Sequence, residues 1–141
     1  MPILEAYFKR HGRWARWWIG ERPEGRQGQM ASLIAARLDY PSGRDDPFGP
    51  GGLRPASLDD AAYSLASAAT TSLAHHSPPK PQAIAEAKLA LRELSDRPVW
   101  ITNGWLPGGN GWIPLTTATF DCGVMGYDAQ NAFIFWVEEE D

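Results

Sequence analysis

The chain has 141 residues, a hydrophobic fraction of 43% with 11% aromatics, and a formal net charge of −4. Those values fit one domain with enough apolar side chain to bury a core, and they exclude a chain that stays disordered. A single cysteine, Cys122, excludes an internal disulfide, and no run of 18 apolar residues predicts a membrane span.

The start of the chain has no basic segment leading into a continuous apolar run, so the expected compartment is a reducing cytoplasm. Charge is unevenly placed. Residues 1–44 hold eight Lys or Arg against four acids, a balance of +4, and residues 45–141 hold five against thirteen, a balance of −8. The two ends can therefore attract each other or face different partners.

In chain order, the spacing of Leu4, Tyr7, Phe8, Trp14, Trp17 and Trp18 predicts a first helix over 4–19, with Gly12 a weak point inside it. Arg10, Arg13 and Arg16 lie among these rings. Arginine with aromatics is a pattern for single-stranded nucleic acid, but the chain is acidic and the basic cluster short, which favours arginine stems lying over packed rings. Met30, Leu33, Ile34 and Leu38 predict a short second helix over 29–38. Residues 40–56 contain four prolines and four glycines and predict an irregular loop, in which Arg44, Asp45 and Asp46 are most simply read as solvated.

Ser57 followed by Asp59 and Asp60 predicts a capped third helix whose face is Leu58, Ala62, Leu65, Ala69 and Leu73, ended by Pro78 and Pro79. Ile84, Ala87, Leu91 and Leu94 predict a fourth over 82–94. From Val99 onward the period changes. Residues 132–137 are apolar in both alternating sets, which predicts an interior strand covered on both faces. Residues 119–127 pair with it as a hairpin through the link 128–131, with Phe120 and Cys122 facing in and Asp121 facing away. Residues 99–105 and 112–115 are read as further strands flanking the glycine-rich loop 107–111. The expected fold is a single α+β domain over 1–141. Its helical part spans about 1–96, with the loop at 40–56, and packs on a C-terminal antiparallel β-meander of three or four strands over about 98–141.

Candidate chemistry is sparse. His75 and His76 adjoin each other at a helix end without a further ligand at suitable spacing, so neither a metal nor another cofactor is expected. Cys122 beside Asp121 offers a thiol nucleophile, but buried cysteine commonly acts as a small hydrophobe and no histidine is near in sequence. The loop 107–111 lacks the Gly-Lys-Ser/Thr ending of a phosphate cradle. The acidic end, Glu138, Glu139, Glu140 and Asp141, is the most suggestive polar feature. Its alternation along a strand suits a cation cage poorly; it fits equally a negative patch, with Asp121 and Asp128, that docks on a basic surface, and a solvated tail that keeps an edge soluble.

Residues 112–124, with the form W-x-P-x-T-x-x-T-F-D-x-G-V, followed by FWVEEED at 135–141, resemble a pattern in small bacterial immunity-type proteins. Such proteins neutralise a neighbouring toxin of the secreted polymorphic or contact-dependent kind. The resemblance lies within residues 112–141 and leaves the helical part unmatched. It implies a non-catalytic inhibitor in a bacterial cytoplasm that binds one cognate enzyme with a basic surface. The residues expected to meet that partner are Trp105, Trp112, Asp121, Asp128, Glu138, Glu139, Glu140 and Asp141, acids with two candidate aromatic anchors, although a core position is the simpler reading of Trp105 and Trp112. The alternative is a small-molecule-binding domain or small enzyme with a Trp-lined pocket near Asp121, Trp105 and Trp112.

Overall fold

The computed structural model describes residues 1–41, 46–109 and 111–140 and is built on one antiparallel sheet of five strands. The strands are β1 (Ala15–Glu21), β2 (Arg54–Ala56), β3 (Val99–Thr102), β4 (Phe120–Tyr127) and β5 (Asn131–Glu139), in the spatial order β1-β5-β4-β3-β2. The helices are α1 (Pro2–His11), α2 (Met30–Ala35), α3 (Leu58–Thr70) and α4 (Pro81–Leu91).

The expected hairpin forms between β4 and β5, from Phe120 opposite Glu139 to Tyr127 opposite Ala132. At its turn the Asp128 carboxylate accepts hydrogen bonds from the Gln130 and Asn131 N–H groups at 2.9 and 2.7 Å, and the Asp128 N–H donates to the Asn131 carbonyl at 2.9 Å. Period-two alternation then sorts the side chains. On one face Cys122, Val124, Phe133, Phe135 and Val137 join a core with α1, α3 and α4. On the other, Met125, Ile134 and Trp136 pack with Met30 and Ile34 of α2 and with Leu115. Each fully buried large apolar side chain contributes roughly 1.5–3 kcal/mol, so both layers are needed.

The structure corrects the sequence expectation in five places. The sheet has five strands, not three or four, and two of them come from the first sixty residues. Residues 4–19 are not one helix. α1 stops at His11, and Gly12 sits so close to the Trp17 ring that a Cβ there would come within 2.8 Å of Nε1. The chain then extends as β1, where Trp17 and Ile19 face one core and Trp18 the other. The loop 40–56 ends in β2, which pairs with β3. α3 ends at Thr70, well before the prolines. Thr70 and Thr71 bond their hydroxyls back to the Ala66 and Ser67 carbonyls at 2.7 Å, a local competition that marks helix ends. Residues 112–115 form no strand; only the Ile113 N–H reaches the β3 end, at the Asn103 carbonyl, 2.7 Å away.

Other local expectations hold. The Ser57 hydroxyl accepts from the Asp60 N–H at 3.1 Å, a side-chain cap. The fourth helix, expected over 82–94, runs Pro81–Leu91, with Pro81 at its start where a missing N–H costs nothing. The arginine expectation holds in part: Arg16 lies over Tyr40 at 4.8 Å and Arg13 over Trp14, itself exposed, at 4.9 Å, while Arg10 pairs with Glu86; Arg37 also lies over Trp18 at 5.0 Å.

Gly123 sits opposite Trp136 in the hairpin, and a Cβ there would collide with the Phe135 carbonyl oxygen and the Trp136 ring. Gly123→Ala is therefore expected to destabilise the protein by about 2 kcal/mol or more, because one obstacle is main chain that cannot rotate away. Urea unfolding measures this, and an unchanged midpoint would show that β4 and β5 are not packed in this register.

Candidate functional site

The acids expected at the surface divide by where the strands put them. Asp121 faces the α2 side of β4 and is fully buried, which corrects the expectation that it faces away. Its carboxylate accepts from the Leu115 and Thr116 N–H groups at 2.9 and 2.7 Å and from Asn103 Nδ2 at 2.8 Å. Asp121 thus ties the segment after the glycine loop to β4 and β3. Burial pushes its pKa above 3.8, partly opposed by the hydrogen bonds from Thr116 and Leu115.

Asp128 is also buried, at the opposite end of β4, where it also accepts from the Ser95 N–H at 3.3 Å. Neither aspartate shares an exposed patch with the chain's acidic end. Glu139 turns to the α3 side and accepts from the Ser72 hydroxyl at 2.6 Å and the Leu73 and Ala74 N–H groups at 2.7 and 3.3 Å, capping a single helical turn at Leu73–His75. Partial burial pushes the Glu139 pKa up, but these donors outweigh it and hold the group below 4.5. Glu140 accepts from the Thr119 hydroxyl at 2.6 Å. Glu138 is exposed and makes no hydrogen bond or ion pair among the described residues, and Asp141 lies outside them.

Beside Glu138 and Glu140 lies a groove of about 550 Å³. Its floor includes Ala68, Ala69 and Val137, and its wall is Trp14, which is 77% exposed. Trp14 was read as one of the apolar members of a first helix. It stands out instead because it closes the turn Gly12–Trp14 just before β1 begins, outside the alternation that buries Trp17. The sequence signal was available: the strand's period starts at Ala15, which leaves Trp14 with neither core.

A second region surrounds Trp105 and Trp112. Trp105 is 8% exposed, so it is more core than anchor, and Trp112 is half-buried. His76 stacks on Trp105 with centroids 5.4 Å apart and planes 7° apart, and meets Phe120 edge-on at 5.6 Å. It is held there by a left-handed backbone, φ 52°, at the end of the Leu73–His75 turn. A cleft of about 260 Å³ runs from these rings to the glycine loop, and a larger one of about 590 Å³ lies on the other side of Trp112, near Arg54 and Asp60. Asp121 lines neither.

Cys122 is fully buried. Its thiol lies 3.4 Å from the Ser64 carbonyl, and burial pushes its pKa well up, so the thiolate needed for nucleophilic attack is suppressed. No group of three or more metal-ligating side chains gathers among the described residues.

Asp121 acts as an acceptor rather than as a charge. Asp121→Ala leaves two buried N–H groups without a partner and is expected to cost about 3 kcal/mol, whereas Asp121→Asn, with Asn103 turned over to accept, is expected to cost about 1 kcal/mol or less. Equal losses in thermal melts would contradict this. Since its pKa is raised on folding, Asp121 contributes stability that is complete below pH 3.8 and is lost as pH rises through the folded value.

Glu139 has the opposite sign. Its contribution is present above pH 4.5 and is lost as pH falls through the lowered folded value. Glu139→Gln is expected to cost about 0.5–1 kcal/mol at pH 7, small because the group is half-exposed and screened, and the gap from the parent's melting curve is expected to narrow as pH falls below 4.5. A gap that does not narrow with falling pH would assign the effect to packing. No protein-family model, no curated protein and no solved structure matches this chain.

Proposed function

We propose that the protein is a non-catalytic binding protein, an inhibitor of the immunity type that neutralises a cognate toxin, or another enzyme with a basic surface, in a bacterial cytoplasm. The observation that supports this is the groove between Trp14, Glu138 and Glu140. An indole that is 77% exposed gains by being covered, and the two carboxylates at its side select what covers it. A lysine or arginine from the partner can lay its stem over Ala68 and Val137 and bring its charge to the indole face that Arg13 leaves open, with the carboxylates at the rim of the groove nearby. The acidic patch of the sequence analysis is thereby reduced to Glu138 and Glu140 and gains Trp14. Asp121, Asp128 and Trp105 are buried and leave that surface.

Tagged protein expressed in its own host, together with the products of adjacent genes, is expected to capture one stoichiometric protein partner with a basic contact surface. Trp14→Ala is expected to weaken that complex roughly 30-fold, as truncation of an interface anchor does. Replacing Glu138 and Glu140 by glutamine is expected to slow association and flatten its salt dependence while leaving the melting temperature unchanged. Association kinetics unaffected by all three substitutions would remove this groove from the interface.

A further inference from the structure

The cleft at Trp105 and Trp112 lies apart from the acidic groove and has a different chemistry. Its lining includes Tyr63, His76, Ser77, Trp105 and Trp112, completed by main chain of Gly104, Gly108, Gly109 and Gly111. None of its described lining residues is Lys, Arg, Asp or Glu. A nucleotide, a sugar phosphate or an amino acid entering here would lose hydration from its charges and find no countercharge, so a charged ligand is disfavoured.

The ring geometry narrows the class further. Trp105 and Trp112 have centroids 4.7 Å apart and planes inclined by 52°, which makes a closed notch. A flat heterocycle slotted between two rings needs roughly 7 Å, twice the van der Waals separation of carbon atoms. One face of Trp105 is already covered by His76. What remains is the ring area of half-buried Trp112 that Trp105, His76 and Phe120 leave open, in a lining that also holds Tyr63, Ser77 and glycine main chain that a ligand can approach closely.

We propose that this cleft is a binding site for an uncharged sugar ring. A pyranose presents one C–H face that packs on an indole and, around its edge, hydroxyls that both donate and accept. That is the complement of a cleft with an aromatic wall and a rim of uncharged hydrogen-bonding groups. The site is independent of the protein partner, since it shares no lining residue with the groove at Trp14.

The test uses the full chain with its seven tryptophans labelled with ¹⁵N, titrated with methyl β-glucopyranoside, methyl α-mannopyranoside and N-acetylglucosamine. Saturable shifts are expected at the Trp105 and Trp112 indole N–H signals, with a dissociation constant of about 1–10 mM for at least one sugar, and no shift is expected at Trp14. Tyr63→Phe and Ser77→Ala remove one hydroxyl each. Both are expected to weaken that binding at least about threefold without changing the melting temperature. The proposal is overturned if no sugar gives a saturable shift at these two signals, if both hydroxyl variants bind as the parent does, or if adenosine or tetramethylammonium binds the cleft more tightly than every sugar.

Discussion

The fold depends on one constraint: a hairpin whose two strands are apolar on both faces must be covered twice. All of β4 except Phe120 is buried, as is β5 from Ala132 to Val137. One helical layer cannot meet that demand, because period-two alternation sends Phe133 and Phe135 one way and Ile134 and Trp136 the other. α1, α3 and α4 take the first set. The second set has only short α2 and irregular chain to cover it, and there Asp121 becomes necessary. By accepting the Leu115 and Thr116 N–H groups, its carboxylate lets an irregular segment lie over a sheet without leaving main-chain donors unpaired.

The same economy of hydrogen bonds explains why so few acids remain for a partner. Asp128 shapes the hairpin turn, Glu139 caps the turn after α3, and Glu140 meets Thr119. Each carboxylate satisfies donors that the fold itself exposes. Glu138 differs from these: strand parity puts it on the α2 face beside its cross-strand partner Asp121, yet it is exposed and no described donor reaches it. Glu138 and the exposed Trp14, whose ring carries only Arg13 among the described ring contacts, then line one groove at one end of the sheet, because β1 starts beside the end of β5, Ala15 opposite Val137. Neither residue was placed by its own surroundings in sequence.

The two candidate surfaces differ in kind. The groove at Trp14 is formed where strand ends and the end of α3 converge, and it carries charge. The cleft at Trp105 and Trp112 is formed where a glycine-rich loop crosses the turn after α3, and it carries none. Both depend on the single turn at Leu73–His75, since Glu139 anchors it on one side and His76 leaves it toward Trp105 on the other. That shared element sets the distance between a charged docking surface and an uncharged aromatic one.

The sequence by itself determined what local physics controls. Two-faced apolar alternation specified the hairpin, Asp and Asn its turn, Ser57 a helix start, and the apolar spacing of α3 and α4 their inward faces. It misled where two periods fit the same residues. Trp14, Trp17 and Trp18 satisfy helical spacing, and only the cores on either side of β5 show that Trp17 and Trp18 belong to an edge strand facing both. It also could not tell an exposed acid from a buried one. The difference between Asp121 and Glu138 lies in the N–H groups of Leu115 and Thr116, which only the tertiary structure brings within reach of one and not the other.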